Sequence, residues 1–343
     1  MSKIRSISIM LLVAILLTVL VGCSLSKEDC YVFDESEFIP LRGEDNSLID
    51  ANAVRIMSAN VLVHIEDWGG EPVKPRAHRF AEAIKHYAPD VIGMQEMCSD
   101  WYKYLLPQIE DSYSAVETKN SLFMENRSPL IYNKKKLNLI KSDLIKYSKG
   151  DKNGCRVVTY GIFERISDKK KFIVTSTHLD LIRMKDYGKE KGIMLSQVSE
   201  FFSVIESLKE QYPECSIFMT GDYNSMERET SRYIGAENGE AYKSENDLTY
   251  YKCYGLPCGS FAYEKISEKY KDVKFIEGIE RKFDNTRGYL YDDPTWDHIF
   301  LANESRAEVL TFRVMTSDYF HNNSDRTSRI SDHLPIAVDA IIK

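Results

Sequence analysis

Apolar residues occur along the chain in short runs that end at polar residues, a pattern typical of buried β-strands. Two segments, residues 76–88 and 189–211, instead space their apolar residues as on one face of an α-helix. Six apolar runs predict strands: Val54–Val63, Asp90–Gln95, Lys171–Leu179, Ser216–Thr220, Trp296–Leu301 and Leu334–Ile342. Strands mixed with helices in this way predict a layered α/β fold.

The N-terminus has the features of a targeting signal. Lys3 and Arg5 precede a continuous apolar stretch, Ile7–Val21, that is short for a membrane span. The stretch stops at Gly22-Cys23, and a small residue before a cysteine resembles the lipobox of bacterial lipoproteins. This resemblance implies cleavage before Cys23 and acylation of the Cys23 thiol. The alternative interpretation is an ordinary N-terminal membrane anchor.

The chain then divides into three parts. Residues 1–22 are interpreted as a lipoprotein-type signal peptide, and residues 23–51 as the lipidated cysteine with a polar, acidic tether. Residues 52–343 contain no internal repeat or low-complexity segment and are interpreted as one catalytic domain. We therefore expect an exported monomer that is held on the extracytoplasmic face of a membrane through its lipid.

Composition narrows the class of protein. Of the 343 residues, 43% are hydrophobic and 28% are charged, which suits a globular enzyme. The formal net charge of −7 provides no basic surface for holding a long polyanion, so phosphate recognition must be local.

The cysteines give a weaker indication. None of those after Cys23 has the doubled CxxC spacing of a zinc site. Cys253 and Cys258 are close enough in sequence to form a disulfide outside the cell, and the alternative of free thiols stays open.

Acids, amides and histidines recur where the predicted strands begin or end. Burying a carboxylate beside an apolar strand is costly unless a partner or a metal ion satisfies it. Strand ends converge at the edge of a sheet, so these side chains are expected to meet in one pocket. Oxygen ligands without a cysteine or histidine cluster favour Mg²⁺, or Mn²⁺ or Ca²⁺, over zinc. The residues are Asn60, Glu96, His178, Asp222, Asn224, Asp297, Asp332 and His333.

In this order, the set resembles the endonuclease/exonuclease/phosphatase superfamily. The motifs are Asn60, Glu96 after Gln95, His178 in Thr-His-Leu, Gly-Asp-Tyr-Asn from residue 221, Trp-Asp-His from 296 and Ser-Asp-His-Leu-Pro from 331. The resemblance covers residues 52–343. It implies a four-layer α/β/β/α sandwich, in which two packed mixed β-sheets are flanked by helices. One departure is Met194, three residues before Gln197, where relatives often carry an arginine.

The resemblance also implies a division of roles for the hydrolysis of a phosphate ester. Glu96 is the principal Mg²⁺ ligand, with Asn60 and Asp332 close to the ion. His333 is either the general base for the attacking water or, if protonated, a group that holds the phosphate. Asp297 orients His333 and supports its charge.

Further residues complete the implied site. Asp222 and Asn224 position the nucleophile and the phosphate oxygens, and His178 donates to a non-bridging oxygen. Arg156, just before an apolar run, is a possible phosphate-binding residue, with an ordinary surface arginine as the alternative. Asp180 is expected to be a loop acid, and the role of His298 stays open.

The substrate is not determined by these motifs. Residues 223–291 hold ten of the 21 tyrosines and are placed to set substrate choice, or simply to pack on the domain. Three substrate classes remain: extracellular nucleic acid for a nuclease, a sphingomyelin-type or other phospholipid headgroup for a phosphodiesterase, and an inositol or sugar phosphate for a phosphatase. A non-catalytic binding lipoprotein is the alternative outside the enzymes.

Overall fold

The computed structural model describes residues 48, 50–63, 72–116, 126–150, 156–181, 187–226, 261–283, 296–315, 330–331 and 333–343. All of them belong to one compact unit, Phe38–Lys343. The predicted signal peptide, Cys23, the Cys253–Cys258 pair and Asp332 lie outside the described residues. Among the described residues, no helix is both long enough and apolar enough to span a bilayer.

The described residues form both α-helices and β-strands. The helices are α1 (Val73–Tyr87), α2 (Ser99–Ile109), α3 (Tyr187–Gln211) and α4 (Phe261–Ser267). The strands are β1 (Ala53–Asn60), β2 (Val91–Gln95), β3 (Tyr113–Ala115), β4 (Leu130–Asn133), β5 (Leu137–Lys146), β6 (Val157–Arg165), β7 (Lys171–His178), β8 (Ser216–Asp222), β9 (Lys271–Asp272), β10 (Glu280–Phe283), β11 (Asp297–Ala302), β12 (Ala307–Val314) and β13 (Ile336–Ile342).

Within the described residues these strands form two mixed sheets. The first has seven strands in the order β10-β12-β13-β1-β2-β4-β3, and the second has six in the order β5-β6-β7-β8-β11-β9. In the first sheet β1 is parallel to β2, and in the second β7 is parallel to β8. The two parallel strands of each sheet therefore end at the same edge of that sheet. The antiparallel neighbours, β13 in the first sheet and β11 in the second, begin at that edge.

Three apolar clusters separate four layers. One cluster lies between α1, α2 and the outer face of the first sheet and includes Phe80 and Trp101. A second lies between α3, α4 and the outer face of the second sheet and includes Phe201. The third fills the space between the sheets and includes Ile56 and Phe218. The predicted α/β/β/α sandwich is confirmed.

The two sheets are in close contact near the ends of their central strands. A Cβ added to Gly93 of β2 would overlap the Thr220 hydroxyl of β8 and lie 3.3 Å from the Ser176 Cβ of β7. Ser176 also donates from its hydroxyl to the Met94 carbonyl, at 2.8 Å. Small residues at this contact therefore bring the ends of β2, β7 and β8 together.

The predicted elements are found, with shifted boundaries. Strand β1 stops at Asn60, three residues before the predicted end, because the chain leaves the sheet there to form a loop. Strand β13 begins at Ile336 and not at Leu334, since the intervening Pro335 has no amide hydrogen for the ladder. Helix α1 begins at Val73 and places Pro75 in its first turn, where the missing amide costs no hydrogen bond.

Candidate active site

The predicted site residues that the structure describes come together at one edge of the sandwich. Asn60 ends β1, and His178 ends β7 directly opposite Asp222 at the end of the parallel strand β8. Asp297 begins β11 opposite Asp222, because these two strands are antiparallel. His333 precedes β13, which runs antiparallel to β1, and therefore lies at the same edge.

Asn60 joins the two halves of the site. Its Nδ2 donates to Asp222 Oδ2 at 2.9 Å and to Glu96 Oε1 at 3.2 Å. Its Oδ1 accepts from the Leu62 amide at 3.0 Å, which fixes the orientation of the side-chain amide because a backbone N–H is only a donor. As placed, Asn60 aligns the two carboxylates through its nitrogen, and its ligation of a metal stays a prediction.

Several residues of the site have a left-handed backbone, which only glycine adopts without strain. Glu96 has φ 61° and Asn224 has φ 48°, and Leu62, two residues after Asn60, has φ 57°. Such residues cost of order 1–3 kcal/mol each and persist where the surrounding structure holds them. The turn at Glu96 directs its carboxylate back to the loop after β1, where Oε2 accepts from the Val63 amide at 3.1 Å.

His178 is held as an acceptor. Asn224 Nδ2 donates to the Leu179 carbonyl at 2.8 Å, which orients that amide, and it also lies 3.0 Å from His178 Nε2. Burial lowers the pKa of His178 well below its usual value, and the charges of Arg156 and His333 add to the effect. The neutral ring therefore accepts at Nε2.

A neutral His178 leaves two acceptors facing each other. His178 Nε2 lies 3.3 Å from Asp222 Oδ2. Burial, with a smaller contribution from the nearby Asp297 charge, raises the pKa of Asp222 to about 6 against the opposing effects of His333, the Asn224 amide and Asn60. A cation or a proton placed between these atoms relieves both the repulsion and the desolvation of the carboxylate.

His333 and Asp297 form a hydrogen-bonded pair at the site. His333 Nδ1 donates to Asp297 Oδ2 at 2.6 Å, and His333 Nε2 lies 3.9 Å from Asp222 Oδ2. The His333 amide donates to the Ser331 hydroxyl at 3.2 Å, and the ring of Trp296 packs 6.0 Å from the imidazole. The sequence pattern placed Trp296 in a predicted strand and did not predict its contact with His333.

The donor set fits a hard divalent cation. One atom each from Glu96, His178 and Asp222 lies within 4.8 Å of the others, and the same holds for Asp222, Asp297 and His333. Both groups share Asp222, and carboxylate oxygens dominate them, as Mg²⁺ or Mn²⁺ prefers. Glu96 is brought to this cluster as predicted, whereas Asp332 is not among the described residues.

Arg156 belongs to a polar group beside His178. Its Nε donates to Asp180 Oδ1 at 2.9 Å, and Gln197 Nε2 donates to Asp180 Oδ2 at 3.0 Å. The Asp180 amide in turn donates to Gln197 Oε1 at 2.9 Å. Asp180 thus holds the arginine. Met194 is buried in the apolar cluster under α3, so the residue that departs from the motif packs in the core.

His298 has a structural environment. Side chains alternate along β11, so His298 points to the opposite face from Asp297. Its Nδ1 lies 3.1 Å from Asp272 Oδ2 and its Nε2 lies 2.9 Å from the Ser225 carbonyl. The ring is fully buried against Tyr223 and Tyr263, away from the site.

Comparisons with known proteins support the fold. No family model matches the sequence, and no curated protein matches it. A solved endonuclease/exonuclease/phosphatase from Bacteroides vulgatus matches with a TM-score of 0.56 at 19% identity, covering 85% of this chain and 99% of that one. A mannosyl-6-phosphatase from Bacteroides thetaiotaomicron matches with a TM-score of 0.56 at 16% identity, covering 84% and 100%.

A third solved structure, D. rerio TDP2 with a single-strand DNA product, matches with a TM-score of 0.51 at 17% identity, covering 85% of this chain and 99% of that one. At these identities the likeness establishes architecture, not activity. The chain has the fold of the endonuclease/exonuclease/phosphatase structures, as its motifs predicted.

Proposed function

We propose that this chain is a metal-dependent phosphoesterase that hydrolyses a phosphate ester with an activated water molecule. The observation that carries the proposal is the His333–Asp297 pair, joined at 2.6 Å, beside the linked carboxylates of Asp222 and Glu96. A proton acceptor next to a cation site is the minimum that such hydrolysis requires. The shared fold with structures named as phosphatases and nucleases supports the same class of reaction.

The metal would be held by Glu96, with Asp332 as a second predicted ligand and Asn60 aligning the carboxylates. Mg²⁺ is the expected ion, because the donors are mainly carboxylate oxygens, and Mn²⁺ or Ca²⁺ are alternatives. When bound, the ion supplies neutralisation of the charge that develops on the phosphate oxygens.

His333 would take the proton of the attacking water at Nε2. Because Nδ1 donates to Asp297, the lone pair of the neutral ring lies on Nε2, the nitrogen that faces Asp222. Asp297 then stabilises the imidazolium that forms, as a buried carboxylate does in hydrolytic triads. Asp222 lies 3.9 Å from Nε2 and is placed to orient the water.

Arg156 would bind phosphate oxygens. As placed, Asn224 Nδ2 donates to the Leu179 carbonyl and lies 3.0 Å from His178 Nε2, so Asn224 would orient His178. Donation by His178 to a non-bridging oxygen stays a prediction. Arg156 is held by Asp180 through Nε, an arrangement that presents the rest of its guanidinium group as an anion-binding fork. A nucleic acid, a lipid headgroup and a small phosphate ester all offer this chemistry.

The test is a substrate panel with wild type and Glu96→Ala. DNA, RNA, sphingomyelin vesicles, inositol phosphates and sugar phosphates are assayed with Mg²⁺ and with EDTA, beside chromogenic phosphate mono- and diesters. We expect turnover of at least one class, its loss in EDTA, and a decrease of several orders of magnitude in Glu96→Ala with the fold retained. Wild-type turnover by Glu96→Ala would refute the metal assignment, and no turnover on any ester would refute the enzyme.

We further propose that the protein is an exported lipoprotein, attached to the extracytoplasmic face of a membrane through acylated Cys23. The supporting observation is the apolar stretch that stops at Gly22-Cys23. Cys23→Ser should release the protein from the membrane fraction of the cells that express it. Retention of the variant in that fraction, with residues 1–22 uncleaved, would favour a plain membrane anchor.

A further inference from the structure

Helix α1 carries a fully buried arginine that contacts two loops of the active site. Arg76 has 0% relative exposure, although an arginine is rarely removed from water without several partners. Its guanidinium group donates to backbone carbonyls of the loop after β1 and of the segment before β13. The acceptors are Val61 at 2.9 Å, Leu62 at 3.1 Å, Val63 at 2.7 Å and Ile330 at 3.0 Å.

The first loop orients the metal half of the site. The Leu62 amide donates to Asn60 Oδ1 at 3.0 Å, and the Val63 amide donates to Glu96 Oε2 at 3.1 Å. Leu62 has φ 57°, a conformation that a leucine does not hold without support. Arg76 binds the carbonyls of the same residues whose amides fix Asn60 and Glu96.

The second loop carries the proton-transfer half. Ile330, whose carbonyl accepts from Arg76, directly precedes Ser331. The Ser331 hydroxyl accepts from the His333 amide at 3.2 Å, and His333 donates to Asp297. One guanidinium group therefore fixes the distance between the loop of the carboxylates and the loop of the histidine.

Trp101 of α2 completes this contact. Its Nε1 donates to the Leu62 carbonyl at 2.9 Å, so two side chains bind that strained residue. The Arg76 guanidinium lies 5.2 Å from the centre of the Trp101 ring, within cation–π range. Both side chains are fully buried, so their positions are set by the packing of α1 and α2 on the first sheet.

We propose that Arg76, supported by Trp101, is a positioning residue that holds the Asn60–Glu96 loop and the His333 loop at the relative positions that catalysis requires. The inference rests on the proposed function for its kinetic part. Lysine cannot replace the arginine, because one ammonium group lacks the planar fork that reaches four carbonyls in two loops. Displacement of catalytic groups by about 1 Å is enough to lower a rate about 100-fold.

The matched control is Arg55, a second buried arginine on β1. It donates to both carboxylate oxygens of Asp339, at 2.6 and 2.8 Å, and to the Tyr87 carbonyl at 2.8 Å. Its partners lie toward the opposite end of β1 from Asn60. Arg55→Lys therefore perturbs a buried guanidinium that binds the last residue of α1, without touching the loops of the site.

The kinetic experiment compares Arg76→Lys, Trp101→Phe and Arg55→Lys with wild type, per folded molecule. For Arg76→Lys we expect kcat to fall about 10- to 100-fold and the Mg²⁺ activation constant to rise about 10-fold, with the substrate KM changed less than about threefold. Trp101→Phe keeps a smaller aromatic ring and loses the hydrogen bond to the Leu62 carbonyl, so changes in the same direction of about three- to tenfold are expected. Arg55→Lys should lower the unfolding midpoint but leave kcat and the Mg²⁺ constant unchanged.

A second readout does not depend on catalysis. In the metal-free proteins, hydrogen exchange at the Leu62 and Val63 amides should accelerate at least tenfold in Arg76→Lys and Trp101→Phe, and not in Arg55→Lys. Wild-type exchange at both amides, or equal kinetic losses in Arg55→Lys, would overturn the inference. If Arg76→Lys does not fold, Trp101→Phe decides. If wild type hydrolyses no ester, the proposed function fails while the exchange data still decide the positioning role.

Discussion

The substitution Asp297→Asn tests the proposed chemistry most directly. It preserves the shape of the side chain but removes the charge that lies 2.6 Å from His333 Nδ1, where both side chains are largely buried. Two unit charges about 4 Å apart attract each other by about 4 kcal/mol at the effective dielectric constant of a protein site. If that attraction stabilises the imidazolium in the transition state, its loss lowers kcat by about 1000-fold, since each 1.36 kcal/mol is a factor of ten.

The same aspartate-to-asparagine substitution in a serine protease triad lowers kcat by about 10⁴-fold, and we take this as the upper limit of the expected loss. The assay is the steady-state hydrolysis of whichever ester the wild type turns over best, at saturating Mg²⁺. The substrate KM is expected to change little, because Asp297 acts on His333 and not on the bound phosphate.

The chain provides a control with the same pair of residues. Asp272 lies 3.1 Å from His298 Nδ1, on the neighbouring strand and on the other face of the sheet. Asp272→Asn therefore removes a buried carboxylate from a histidine that the mechanism does not use. It should lower the unfolding free energy and leave kcat per folded molecule unchanged. A loss below about tenfold in Asp297→Asn, or an equal loss in both variants, would refute the assignment of the proton-transfer pair.

Two further predictions concern stability. The pKa of Asp222 is raised from 3.8 to about 6, chiefly by burial, so this carboxyl stabilises the metal-free fold at acidic pH and that contribution falls by on the order of 3 kcal/mol as pH rises from about 4 through 6. The lowered pKa of His178 has the opposite effect on stability, so the measurement is the difference between wild type and Asp222→Asn in urea unfolding with EDTA. That difference should shift by this amount across the range, and parallel pH curves would contradict it. Gly93→Ala should destabilise the domain by about 1–3 kcal/mol because its methyl group overlaps the Thr220 hydroxyl, and Thr220→Ala in the same chain should recover part of the loss. An unfolding midpoint of Gly93→Ala equal to that of wild type would show that the sheets move apart easily at this contact.

The hydrophobic pattern was sufficient to predict the strands that build the site, because those strands are buried and their sequences are apolar runs. It missed α2, whose sequence from Ser99 to Ile109 mixes polar and aromatic residues and includes Pro107. It also missed β5, an edge strand that is exposed along much of its length, so its sequence shows no clean alternation. Packing against the rest of the domain, not local preference, selects these two elements.

Arg76 illustrates the same limit within the site. It lies on the apolar stripe of α1 between Val73 and Phe80, a position where a charged residue signals a buried partner. The sequence indicates that such a partner exists. It does not indicate that the partners include backbone carbonyls of two separate loops, one of them 254 residues away.

The order of residues along the chain determined which acids, amides and histidines stand at the ends of buried strands, and the resemblance of that ordered set to a known family was enough to predict the fold. Only the tertiary structure decided how they pair. Asp297 and His298 are adjacent in sequence, but the alternation of a strand directs them to opposite faces, so one meets His333 and the other meets Asp272. Which partner each one meets depends on strand order and register, which are set by packing between distant segments and not by any local pattern.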